Sequence, residues 1–122
     1  MDKEEATKRA ESIIDTFDVN ELPPHMRDPI IRYVRDGILT GGFLTAVMEN
    51  NLWAAFQYAD AINKSKIGDI IDFCHHYLPT LCWGYESKVD EWIKTGGLIG
   101  RFMRRASKTP AEPQSASASR EQ

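Results

Sequence analysis

At 122 residues the chain has room for one domain and one core, and its 42% hydrophobic and 27% charged side chains are ordinary for a soluble globular protein. No apolar run approaches the ~20 residues of a membrane-spanning helix, so an integral membrane protein of that kind is not expected. The net charge of −3 divides into +3 over residues 97–122 and −6 over residues 1–96, which argues against nucleic-acid binding by the acidic body and leaves the C-terminal stretch as the basic element.

The chain reads as all-α, a compact bundle of about five to six short helices. Ala6, Ala10, Ile13, Ile14 and Phe17 recur at helical spacing, while Lys3, Glu4, Lys8, Arg9 and Glu11 stay off that stripe, so a first helix is expected within residues 1–18. Pro23-Pro24 cannot lie in a helix interior and ends that segment. Asp28-Pro29 looks like the start of the next helix, with Asp28 as cap and Pro29 at the first helical position. Ile30, Ile31 and Val34 form its expected inner side, and Gly37 fits a left-handed C-terminal cap.

Three of the eight glycines fall between 37 and 42, and a dense apolar run follows at once: Phe43, Leu44, Ala46, Val47, Met48. That pattern predicts a tight turn and a short helix buried on nearly all sides. Glu49-Asn50-Asn51 supplies a stop and a new cap. Leu52, Ala55, Phe56, Ala59 and Ile62 then form an expected inward stripe, resumed by Ile67, Ile70, Ile71 and Cys74. Either one helix spans 52–78 or two meet near residue 65, and the polar cluster at Asn63–Lys66, with Gly68, favours the break. Pro79 ends this part. A helix over about 85–95 follows, with Val89, Trp92 and Ile93 inward and Gly96 closing it. Residues 97–105 are a short basic amphiphile, and residues 106–122 lack large apolar side chains and are expected to be disordered. The domain is thus drawn over 1–96.

The run Tyr33-Val34, Gly37, Gly41, Phe43-Leu44, Ala46-Val47, Asn50-Asn51-Leu52, then Ala59-Asp60 and Asn63, then Pro79, Cys82-Trp83-Gly84 and Trp92 resembles a family of small all-helical proteins encoded by tailed phages and prophages. The resemblance covers about residues 30–94. Members usually have Ser where this chain has Tyr85, and often Pro at the positions of Gly41 or Gly68. It implies a phage or prophage accessory protein without a mechanism, and it carries over no functional residue.

Catalytic and metal chemistry find little support in the pattern. Cys74-His75-His76 with Cys82 fits no paired zinc-ligand spacing, and neighbours on a helix point about 100° apart. A Cys82 packed in an apolar turn has its thiolate disfavoured. No cofactor and no catalytic residue are expected, and the chain reads as non-enzymatic. The charged start Met1–Glu5 is not a secretory signal, and two cysteines without one point to the cytoplasm, that of a bacterial host if the chain is phage-encoded.

Binding surfaces remain. Trp53 is the expected anchor for a protein partner, and Arg101, Phe102, Arg104 and Arg105 form a second candidate partner surface. Self-association to a homo-oligomer is a further expectation. One alternative is a nucleic-acid- or membrane-associated protein acting through 98–108. Another is a small-ligand or nucleotide site at Thr40, Gly41 and Gly42, where free N–H groups open a helix.

Overall fold

A computed structural model describes residues 1–107, with side chains to residue 104. Asp2 opens α1 (Lys3–Ile14) by accepting the Glu5 N–H at 2.8 Å. Its inner face is Ala6, Ala10 and Ile14, and two alanines in that row let the helix lie close to its neighbours. A 3-10 turn at Val19–Glu21 follows, held by Arg27, whose Nε donates to the carbonyls of Val19 at 2.9 Å and Leu22 at 3.3 Å.

The second helix, α2 (Pro24–Asp36), starts a full turn before the expected Asp28-Pro29 signal. Pro24 takes the first helical position, where a missing N–H costs nothing. Pro29 lies inside the helix; the acceptor it deprives is the carbonyl of exposed His25, in the first turn. Tyr33 belongs to the buried face with Met26, Ile30 and Val34, whereas Ile31 is only half-buried.

Gly37 closes α2 with φ 72°, in the left-handed region as its place in the sequence implied. Beyond it lie α3 (Gly42–Met48), α4 (Leu52–Tyr58), α5 (Ala61–Tyr77), a 3-10 turn at Thr80–Cys82, α6 (Glu86–Thr95) and α7 (Gly97–Ser107). The described residues thus hold seven α-helices and no strand, where five to six helices were expected. α3 is buried through Phe43, Leu44, Ala46 and Met48. The expected break near residue 65 falls instead at Ala59-Asp60. There the Asp60 carboxylate accepts the Asn63 N–H at 2.7 Å, and α5 then runs unbroken through Lys64, Ser65 and Gly68.

α1, α2 and α7 pack against one another, α6 joins them through α7, and α3 carries α4. Two polar ties cross the core. Tyr33 donates its hydroxyl to the Cys82 carbonyl at 2.5 Å, and Trp92 donates its indole N–H to the Tyr33 carbonyl at 2.8 Å. Both rings are buried, so each donor has a partner where water cannot reach. The turn after α2 also meets the turn between α6 and α7. A Cβ on Gly37 would lie 2.7 Å from the Gly97 nitrogen, and one on Gly97 would lie 2.5 Å from the Gly37 nitrogen. Two backbones in direct contact leave no room for a side chain at either place.

The amphiphile at 97–105 is part of this packing, since Leu98 and Ile99 of α7 are buried in the common core. Residues 106 and 107 complete α7. The rest of the stretch expected to be disordered, 108–122, lies outside the described residues.

Candidate functional site

The stripe Leu52, Ala55, Phe56, Ala59, Ile62 does not face inward as expected. Ala55 is buried, but Leu52 is 61% exposed, Phe56 44% and Ile62 57%. The reason is the break at Ala59-Asp60. α4 is a separate seven-residue helix that sets its small residues, Ala54 and Ala55, against the body, and Ile62 belongs to α5 with a different rotation. Asn51 caps α4 by accepting the Ala54 N–H at 3.1 Å. The outward side of α4 carries Trp53, 88% exposed, with Leu52 and Phe56 exposed beside it, while Tyr58, 64% exposed, borders the groove at Thr40 and Gly42. From Leu52 to Tyr58 there is no charged side chain.

Beside this face lies a cavity of about 160 Å³ between α3, α4 and α5. Val47, Leu52, Ala55, Ile67, Ile71 and Trp83 supply much of its wall, with Asn50, Asn51 and His75 also contributing. The His75 and Trp83 rings stand 5.8 Å apart. The Trp83 indole N–H is buried and has no hydrogen-bond partner within the described structure. Cys74 also reaches this cavity, and burial pushes its thiol pKa up to about 12. Burial raises the Cys82 thiol further, and its coulombic interaction with Cys74 adds to the shift. Both cysteines are therefore protonated at neutral pH and poor nucleophiles. His75 and His76 are exposed. Among the described residues no group of three His, Cys, Asp or Glu side chains is placed to hold a metal ion.

Thr40 and Gly42 line a shallow groove on the other flank of α4, with Leu39, Thr45, Glu49 and Tyr58, while Gly41 is exposed nearby. Thr40 and Thr45 pair their hydroxyls at 3.0 Å, so this turn is occupied by its own side chains. The charged residue of the groove is Glu49, whose pKa is raised by burial and by Glu86 and Asp90. A carboxylate there repels an anion.

The C-terminal candidates sit elsewhere, on a helix resting against α1, α2 and α6 rather than on α3 and α4. Phe102 is half-buried with the Arg9 guanidinium 4.9 Å above its ring, Arg101 lies 5.9 Å from the Trp92 ring, and Arg104 reaches Glu91 at 3.4 Å. Arg105 falls within α7, with its side chain beyond those described. The apolar side of α7 is engaged in the fold, so lying on a membrane through it requires undocking. Among the described residues no helix is long and apolar enough to cross a membrane.

Sequence reasoning found Trp53 but missed the cavity and the exposure of Leu52 and Phe56. The signal was Leu-Trp-Ala-Ala-Phe-Gln-Tyr itself, seven residues with no charge to mark a solvent side and two alanines together to mark a close-packed one. No family model, curated protein or solved structure matches the chain.

Proposed function

We propose that the chain is a small, non-enzymatic accessory protein of phage or prophage type that works by occupying the surface of a protein partner, such as a host factor or a defence component. The phage reading rests on the resemblance over residues 30–94. The binding reading rests on one observation, the uncharged α4 face with Trp53 88% exposed and Leu52 and Phe56 exposed beside it. Contiguous apolar surface of this kind is costly in water and marks interaction sites. Tryptophan is also the residue most often found to dominate binding energy at such sites. The buried, protonated thiols favour a non-enzymatic role. The α7 and glycine-turn alternatives have less behind them, since one face is docked and the other carries Glu49.

Capture from a bacterial host lysate tests the proposal, with the full chain and its Trp53→Ala variant as parallel baits and an untagged copy of the chain added to the lysate. A polypeptide retained by the first bait and lost from the second, with unchanged circular dichroism, is the expected result. Equal capture by both baits, or none by either, removes α4 as the working surface.

A further inference from the structure

We infer that the polypeptide covering the α4 face brings a lysine or arginine to Glu49, in the groove beside α4, next to the apolar side chain it sets over Trp53. This rests on the protein-binding reading above and states the chemistry of the partner. Leu52, Trp53 and Ala54 step around α4 by about 100° each. Leu52 lines the cavity on one flank and Ala54 the groove on the other, so Trp53 stands between them and a segment lying on it reaches the groove.

The groove offers a cation two kinds of contact. Glu49 is the charged residue of its lining, and Leu39, Ala46, Ala54 and Tyr58 supply its apolar part. The Tyr58 ring lies across Gly42, 3.4 Å from the place a Cβ would take there. An ammonium or guanidinium group in the groove thus meets a carboxylate and an aromatic ring together. An anion finds less. Thr45 donates its hydroxyl to the Thr40 carbonyl at 3.1 Å, and the two threonine hydroxyls pair at 3.0 Å. Both hydroxyl hydrogens are then used within the turn.

No cation among the described residues already fills this place. Glu49 takes part in none of their ion pairs. Its pKa is raised by burial, Glu86 and Asp90, with no basic group acting against them. Lys88, on α6 between those two, donates instead to the Thr80 carbonyl at 3.0 Å and stands 5.3 Å from the Tyr85 ring. On α7, Arg101 lies 5.9 Å from the Trp92 ring and Arg104 reaches Glu91 at 3.4 Å. A cation from outside relieves the repulsion among Glu49, Glu86 and Asp90, which an uncharged or acidic partner does not. Charge therefore separates partners that the apolar face alone admits equally. With α7 included the chain still carries −3, so a basic segment is also attracted at a distance.

Panning a random peptide display library on the immobilised full chain supplies the probe, and the enriched peptides are titrated by fluorescence anisotropy. The expected sequences carry Lys or Arg within a few residues of a large apolar side chain. Trp53→Ala should abolish their binding. Glu49→Gln should weaken it at least ~10-fold and lessen its salt dependence, as expected for loss of one charge pair. Glu4→Gln, at an exposed position on α1, should leave it unchanged. Circular dichroism establishes that each variant is folded, and Glu49→Ala replaces Glu49→Gln if the latter is not.

Exchanging the charges is the decisive arm: Glu49→Lys should lose the basic peptide and bind the same peptide with its Lys or Arg replaced by Glu. Enriched peptides without a basic residue, or an exchange that restores nothing, overturn the inference. Peptides lost with Trp53→Ala but indifferent to Glu49→Gln overturn the basic contact and leave the protein-binding reading standing. Binding indifferent to both substitutions, or a library that yields no binder, removes both.

Discussion

Gly37 and Gly97 occupy places that no side chain fits, because each has positive φ and each faces the other's backbone. Alanine at either place meets left-handed strain and a steric collision together, so Gly37→Ala and Gly97→Ala should each cost about 2–3 kcal/mol or more in urea denaturation. Gly68 is the internal control. It lies within α5 with nothing within 4 Å of an added Cβ, and Gly68→Ala should stabilise by up to ~1 kcal/mol. Equal effects at all three positions would mean that the turn-to-turn contact is unimportant. The buried thiols give a second residue-level expectation. Their folded pKa values lie above the unfolded ones, so the stability they contribute is whole below about pH 8.5 and declines as pH rises toward the folded values. The decline should be on the order of 1 kcal/mol per pH unit for each thiol. Tyr33, raised by burial, adds to it at higher pH still. Denaturation midpoints at pH 8 and pH 10 check the sign, and alkylation of Cys74 and Cys82 should track global unfolding.

Among the elements, those written in caps and glycines were legible: Gly37 ending α2, the apolar run forming buried α3, and Gly96 closing α6 with φ 89°. What could not be read was rotation. A stripe through Leu52, Phe56 and Ile62 looks continuous only if one helix spans it, and Asp60 divides that span in two. Asp60 should therefore matter. Asp60→Ala leaves the Asn63 N–H unpartnered and should cost about 1 kcal/mol, whereas Ser65→Ala, at the break first expected, should change stability by less than ~0.5 kcal/mol. The two phenylalanines part for the same reason. Phe43→Ala empties a core position and should cost about 3–5 kcal/mol, while Phe56→Ala, at 44% exposure, should cost well under half of that. The α4 site was legible at Trp53 alone, because a cavity formed by three helices has no signature in any one of them.

On the scale of the molecule, α7 completes the scaffold rather than trailing from it. Leu98 and Ile99 fill the core, and Gly97 closes against Gly37, so a chain ending at Gly96 should lose cooperative unfolding. Composition gave no hint of this, since a basic amphiphile docked on an acidic body and one that binds elsewhere have the same sequence pattern. With that scaffold closed, α4 still leaves Leu52, Trp53, Phe56 and Tyr58 in water, and the claim that this face is covered by protein is the centre of the account. Photo-crosslinking from Gln57, on the exposed side of α4, tests it most directly in the full chain within host cells. The account expects a covalent polypeptide adduct from position 57 that disappears with Trp53→Ala. Adduct yield from position 57 no higher than from exposed Lys8 on α1 would contradict it.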